Sequence, residues 1–280
     1  MPDDRGQRTE DLCSSVVRSP SSVLRKQIIE IAGAAKTYRT RDGEVVSLRP
    51  LDLSIGEGEL FVVVGPSGCG KTTLLKMIAG LLPPSAGEIR VDGKRITKPH
   101  GGVGMVFQTA MLLPWRSVMQ NVMMPVEVKN LPRDVYGKRA TELLQMVGLA
   151  GFEQKYPWQL SGGMQQRAAI CRALVHDPKI VLMDEPFGAL DAMTRERMNV
   201  ELQRIQGETR KTVVFITHSI PEAVFLGDRV LVMTERPGGI AAIYTVPIPR
   251  PRALEMMAAP AFFELTQTIR RHFNVQGAGD

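Results

Sequence analysis

Short runs of nearly unbroken apolar residues recur along the chain: Leu60 to Val64, Val103 to Phe107, Ile180 to Met183, Thr212 to Ile216 and Val230 to Met233. Runs of this length, rich in β-branched residues, are what strands buried on both faces of a parallel sheet require. Most stop abruptly on a residue with chemistry: Gly65, Gln108, the pair Asp184-Glu185, and His218 after Thr217. In parallel α/β sheets the C-terminal strand ends are where ligands sit. Other segments alternate. Ile28-Ile29-Glu30-Ile31, the set Leu48, Leu51, Leu53 and Ile55, and Glu88 to Val91 before the turn Asp92-Gly93 predict a smaller β layer around the first apolar run.

Helical spacing appears at Leu74 to Leu82, at Ala140, Leu143, Leu144, Met146 and Val147 ending on Gly148, at Ala168 to Val175, and at Ala261 to Phe273. Between about residues 109 and 177 helical periodicity replaces the strand pattern, which predicts an inserted helical subdomain. Residues 1–26 mix Asp, Arg, Ser and Pro without a period and read as a mobile tail. The expected organisation is a main domain over 27–250 and a short helical extension over 251–280.

Composition narrows this picture little. The chain has 280 residues, 44% of them hydrophobic and 23% charged, which suits one α/β core with a subdomain. No apolar stretch approaches the roughly 18 residues of a membrane span, and no signal-like segment opens the chain, so it is expected to stay in the cytoplasm. Cys13, Cys69 and Cys171 lack metal-ligand spacing and fit a reduced compartment. The net charge of +6 comes from bases interleaved with acids, as in Arg195-Glu196-Arg197, and implies no nucleic-acid partner.

The most specific stretch is Gly65-Pro66-Ser67-Gly68-Cys69-Gly70-Lys71-Thr72-Thr73, between the first apolar run and a helix. Its spacing is G-x-x-x-x-G-K-[ST], in which glycines let backbone N–H groups wrap an anion and the helix N-terminus adds positive charge. Lys71 then reaches the β- and γ-phosphates of a purine nucleoside triphosphate, and the Thr72 hydroxyl is placed to ligate Mg²⁺. Carboxylates abutting a buried strand are costly unless they have a partner or a task. Asp184 is suited to hold Mg²⁺ through water, and Glu185 to take a proton from water attacking the γ-phosphate.

Other residues leave two readings each. Tyr38 stacks on a purine or packs at a strand end. Gln108 and His218 face a ligand or are ordinary surface and packing residues. Ser161-Gly162-Gly163, before a helix, is a Ser cap or a second anion site.

The phosphate loop, Leu160-Ser161-Gly162-Gly163-Met164-Gln165 and the strand ending in Asp184-Glu185 together resemble ATP-binding cassette ATPase subunits, over roughly residues 28 to 246. The resemblance implies an α/β P-loop NTPase core of the RecA-like type with an N-terminal antiparallel β layer and an inserted α-helical subdomain. It implies ATP and Mg²⁺, adenine stacking by Tyr38, Mg²⁺ and water sensing by Gln108, γ-phosphate contact by His218, and a dimer-contact loop at Ala189-Leu190-Asp191. It also implies a head-to-tail homodimer, each ATP lying between the phosphate loop of one subunit and Ser161, Gly162, Gly163 and Gln165 of the other.

Leu112-Leu113-Pro114-Trp115 after Gln108, and Pro186 to Arg195, resemble the nitrate, sulfonate and taurine importer group. That implies a transmembrane permease partner, an indirect link to a substrate-binding protein, a peripheral position on the cytoplasmic face of the membrane, and a small anion as cargo. Exporter subunits and soluble nucleic-acid-associated cassettes share the site chemistry, but the Leu-Leu-Pro-Trp segment points away from the first. The lack of a coiled-coil insertion or second cassette points away from the other.

Two finer expectations complete the reading. Cys69 at a helix N-terminus is expected to be a thiolate that labels readily. Met105, Met111, Met119, Met123 and Met124, with Trp115, are expected either to fill a loose helical core or to line a permease-docking groove.

Overall fold

In the computed structural model, which describes residues 26–41 and 43–274, strand β3 (Leu60–Val64) is buried along its whole length and its side chains divide between two cores. The tail expected over 1–26 lies outside the described residues apart from Lys26, as do Cys13 and the last six residues of the C-terminal extension. Successive strand residues face opposite ways. Leu60, Val62 and Val64 accordingly join one apolar cluster, and Phe61 and Val63 the other.

Around β3 a six-stranded sheet forms from β6 (Val103–Val106), β7 (Ile180–Asp184), β8 (Thr212–Ile216), β9 (Arg229–Met233) and β10 (Ile240–Thr245), in the order β10-β9-β3-β8-β7-β6. All of its pairings are parallel except β10 with β9 at the edge. The apolar runs thus become central strands. The second sheet, β2-β1-β4-β5, is antiparallel and is built from β1 (Gln27–Thr40), β2 (Gly43–Gly56), β4 (Ala86–Val91) and β5 (Lys94–Arg95). Its inward residues, Ile29, Ile31, Leu53, Ile55 and Ile89 among them, pack with Leu74, Leu75 and Ile78 of helix α1 (Lys71–Ile78). Strand β1 runs well beyond the predicted Ile28–Ile31 and carries Tyr38 near its far end. Register shifts after Ile31 break its alternation, which is why the pattern shows only its first part.

Between β6 and β7 lie α2 (Val118–Val128), α3 (Arg133–Met146) and α4 (Gly162–Leu174). Ser117 and Gln120 form a reciprocal cap at the start of α2. The predicted set Ala140, Leu143, Leu144 and Val147 is buried, and Gly148, just past the end of α3, takes the left-handed conformation that a helix stop favours. These helices share one continuous cluster with Val62, Val106 and Phe215 of the sheet.

Helix α5 (Ala192–Thr209) buries little apolar surface beyond Met198 and Leu202, and α6 (Ile220–Leu226) is only seven residues long. Neither gives a helical period that the sequence reveals. The last helix, α7 (Pro260–Asn274), contributes Phe262 and Ile269 to the main core. Among the described residues no helix is long and apolar enough to cross a membrane.

A buried arginine fastens the C-terminal segment. Arg252, 3% exposed, donates from Nη1 to the carbonyls of Val224, Phe225 and Gly227 at 2.9 to 3.0 Å, and from Nε and Nη2 to Ile248 O. It thereby satisfies acceptors at the C-terminal end of α6 that the helix itself leaves open. Removing it strands those carbonyls in the interior. Arg252→Ala is expected to cost about 3 kcal/mol in urea-unfolding free energy. Arg252→Lys should not restore the loss, because an ammonium lacks the planar fork that reaches both sets of carbonyls.

Candidate active site

The loop 65–70 leaves β3 and enters α1 through Gly70, whose φ of 99° lies in the left-handed region. No side chain caps the helix and no acidic residue stands in its first turn, so its leading N–H groups face an incoming anion. Lys71 Nζ donates to Gly65 O and Pro66 O, both at 2.8 Å, and so lies along the loop itself.

The loop is backed by the segment around Gly238. Gly238 N donates to Ser47 O at 3.0 Å, Arg49 N donates to Gly238 O at 2.8 Å, and a Cβ on Gly238 would sit 1.8 Å from Cys69 O. Only glycine admits that approach. No signal in the sequence distinguished Gly238 from other turn glycines.

Tyr38 and Ser47 reach the same helix start. The Tyr38 hydroxyl is 3.5 Å from Thr73 Oγ1, and Ser47 Oγ is 3.4 Å from it. Lys36 Nζ stands 5.4 Å from the centre of the Tyr38 ring, which is 37% exposed and able to stack. The structure thus brings Tyr38 to the phosphate loop across 35 residues of sequence.

Asp184 ends β7 almost fully buried, with the Thr72 side chain beside its carboxyl. Burial raises its pKa, partly offset by the Thr72 hydroxyl and by the Lys76 and Lys71 charges, while Glu185 beside it pushes the same way as burial. Its Oδ1 is buried with no hydrogen-bond partner. An orphaned carboxylate oxygen beside a threonine hydroxyl fits a hard cation with oxygen ligands. Among the described residues no group of three or more His, Cys, Asp or Glu could hold a metal. A single carboxylate with a hydroxyl beside it suits Mg²⁺, which binds one or two carboxylates and completes its shell with phosphate oxygens and water.

Glu185 follows with φ of 47°, a strained value for a residue with a side chain. Its turn is pinned by Glu185 N donating to Ile216 O at 3.0 Å. Gln108 Nε2 donates to Glu185 Oε2 at 3.1 Å, and His218 Nε2 contacts Glu185 Oε1. Three strands therefore deliver Gln108, Glu185 and His218 to one point.

Ser161 caps α4, its hydroxyl accepting from Met164 N at 3.3 Å. Ser161 and Gly162 are exposed, while Gly163 packs against the 187–191 loop: a Cβ there would lie 3.1 Å from Leu190 Cδ2. Gln165 turns inward, Nε2 donating to Pro157 O and Leu160 O. Asp191 caps α5 by accepting from Thr194 N at 2.9 Å, and these bonds hold its carboxyl below the usual range. The two loops form one continuous surface.

Cys69 corrects the sequence reading. The helix terminus was expected to make it a reactive thiolate, but the side chain is fully buried and its Sγ lies under Gly65, where a Cβ would approach to 2.8 Å. Burial pushes the thiol up, and the nearby Lys71 charge does not reverse it. Native protein is therefore expected to leave Cys69 unlabelled by maleimide at neutral pH, with labelling appearing only on unfolding in urea. Mass spectrometry of the labelled peptide reads this directly, and rapid native labelling would restore the thiolate.

A buried parallel strand, a phosphate loop and a carboxylate-tipped strand two places along the same sheet define a P-loop nucleoside triphosphatase, here with an antiparallel β layer and a helical insertion. Within that class, residues 48–188 match the ABC transporter family model, and the chain belongs to that family. It is 48% identical over 224 residues to an uncharacterized ABC transporter ATP-binding protein of Methanocaldococcus jannaschii, covering 80% of this chain and 84% of that one. It is 45% identical over 249 residues to a taurine import ATP-binding protein of Rhizobium johnstonii, covering 87% and 95%. It is 40% identical over 250 residues to an aliphatic sulfonates import ATP-binding protein of Bacillus cereus, covering 89% and 97%. Among solved structures, a dimeric post-hydrolysis ATP-binding cassette bound to ADP and Pi superposes with a TM-score of 0.72 at 33% identity, covering 79% of this chain and all of that one.

Proposed function

We propose that this chain is the ATP-binding and ATP-hydrolysing subunit of an ABC importer, driving uptake of a small sulfonate-class anion through a membrane permease. The observation that carries the hydrolytic part is the convergence of Gln108 and His218 on Glu185, beside the phosphate loop and the Thr72–Asp184 pair. The taurine and aliphatic sulfonate relatives, each covered over most of its length, support the cargo class. The subunit sits peripherally on the cytoplasmic face of the membrane, and a substrate-binding protein delivers the cargo to the permease.

The residues divide the work. Gly65 to Thr73 and the start of α1 hold the phosphates, Lys71 leaving its loop carbonyls to meet the β- and γ-phosphates, while Tyr38 stacks on the adenine. Thr72 and Asp184 would hold Mg²⁺, with Gln108 as a further oxygen ligand, since its Nε2 is engaged by Glu185. Bound there, the ion neutralises phosphate charge. Glu185 accepts the proton of the attacking water, and His218, across from it, contacts the γ-phosphate.

Two copies close head to tail, so that the exposed Ser161-Gly162 end of α4 in one meets the phosphate loop of the other. The adjoining 187–191 loop, with Asp191, belongs to the same contact. ATP favours the closed pair and product release reopens it.

Glu185→Gln should bind ATP normally and form a stable ATP-dependent dimer on size exclusion. Its turnover should fall roughly a hundredfold or more, because the amide keeps the shape and loses the proton acceptor. Wild-type hydrolysis in this variant would remove Glu185 from the role of base.

The permease-docking expectation divides once the side chains are placed. Met123 is buried and Met119 packs against the core, whereas Met111 and Trp115 are 61% and 70% exposed. Val118 N and Met119 N donate to Lys155 O and Glu153 O, which joins this segment to the exposed, stacked pair Tyr156 and Trp158. Exposed aromatic anchors of this kind dominate interface energetics. Trp115→Ala should therefore leave ATP affinity and stability near wild type while weakening permease pull-down and ATP-driven uptake. Unchanged assembly would place docking elsewhere.

A further inference from the structure

Beside the hydrolytic site lies a buried carboxylate that the reading above leaves without a task. Glu222, in the first turn of α6, is 7% exposed, and its Oε2 accepts from Thr217 Oγ1. Asn199 of α5 lies beside it. The Thr217 hydroxyl in turn accepts from Ser219 N at 3.0 Å, and Ser219 Oγ accepts from Glu222 N at 3.3 Å. Thr217, Ser219 and Glu222 thus close a ring of hydrogen bonds around the backbone of His218.

The His218 ring depends on that backbone. Its side chain is 45% exposed, its partner is Glu185, and it borders a cavity of about 120 Å³ shared with Phe187, Arg195 and Glu222. Open space on that flank means that packing does not set the ring angle. On the far side, Asn199 shares α5 with Arg195, which donates to Phe187 O and Leu190 O. The carboxyl therefore stands where the 187–191 loop, α5 and the His218 turn meet.

Glu222 Oε1 and Asn199 Oδ1 are both buried without a partner. A protonated Glu222 supplies a donor as well as an acceptor, and burial favours that form. Glutamine imitates it, keeping an acceptor for Thr217 and offering N–H groups to Asn199.

We propose that Glu222 is a positioning residue for ATP hydrolysis: through Thr217 it holds His218 at the angle that meets Glu185, and it ties that angle to the 187–191 loop. The inference rests on the hydrolytic reading above. Glu222→Leu keeps the volume and removes the acceptor. Its kcat should fall about tenfold to a hundredfold with KM for ATP unchanged, as expected when a reacting group is misplaced. Glu222→Gln should keep at least half of wild-type kcat.

Thr217→Val, which also removes the acceptor of Ser219 N, should show at least the same kcat loss, and the double variant should be no slower than the slower single variant, because both break the Thr217–Glu222 bond. If Glu222→Leu does not fold, Thr217→Val and Glu222→Gln carry the test alone. Wild-type kcat in Glu222→Leu or Thr217→Val, multiplicative losses in the double variant, or a loss in Glu222→Gln as deep as in Glu222→Leu would overturn the proposal. His218→Ala separates the two levels. Lost turnover there with normal turnover in Glu222→Leu rejects the positioning role alone, whereas normal turnover in His218→Ala rejects the hydrolytic reading itself.

Discussion

The register of the parallel strands is the constraint on which the rest of the molecule depends. Val106 pairs with Met183 and Asp184 with Ile216, so Gln108 and Glu185, each two residues further along, come level, and His218 follows two residues beyond Ile216. Both faces of these strands are buried, by helices on one side and by α1 with the β layer on the other. A slip of one residue would exchange the two faces of a strand. Leu60, Val62 and Val64 would then meet the space shaped for Phe61 and Val63, in an interior packed too densely to absorb the mismatch. The alignment of three polar groups at the sheet end is thus enforced by apolar residues that touch no nucleotide.

The same logic explains what could be read from the sequence. The central strands and the phosphate loop were legible because long burial and a tight anion turn each demand a restricted set of residues at fixed spacing. Glu185 was legible as a carboxylate at a strand end, but its contacts with Gln108 and His218 were not, since those partners lie on strands far away in sequence. Helices α5 and α6 left no period because one buries few apolar residues and the other is too short. Cys69 was misread for a different reason. A helix terminus stabilises a thiolate only where solvent or a counter-charge can support it, and at this position desolvation outweighs the dipole. Gly238 and Glu222 act through close approach and through a three-element junction, which are properties of the folded chain and not of any local pattern.

The methionine-rich stretch shows how two readings of one composition are both partly right. Met123 fills the core of the helical insertion, while Met111, four residues before Trp115, stands in solvent. Spacing alone cannot separate them, because the chain between β6 and α2 is irregular. What orders that irregular stretch is Asn121, whose side chain accepts from Leu113 N and donates to the carbonyls of Leu113, Arg116 and Ser117. A buried amide satisfied in this way holds a loop as firmly as a short piece of regular structure does.

Helix α4 joins the two functional regions physically. Its N-terminal turn carries the exposed Ser161-Gly162 end, and its middle grips the segment that follows Gln108: Gln166 Nε2 donates to Phe107 O at 2.9 Å, and Arg172 donates to Ala110 O and Met111 O at 2.8 Å each. The Arg172 bonds are charge-assisted and largely buried, so breaking them would leave a desolvated guanidinium without partners. Motion of the 107–111 segment relative to α4 is consequently expensive, and the two move most cheaply as one body. A nucleotide that draws Gln108 toward its phosphates therefore pulls on the helix whose exposed start is proposed to meet a second subunit. It pulls equally on the loop that presents Trp115. Mechanical coupling between the hydrolytic site and an external partner needs no long relay here, because one helix is bonded to both.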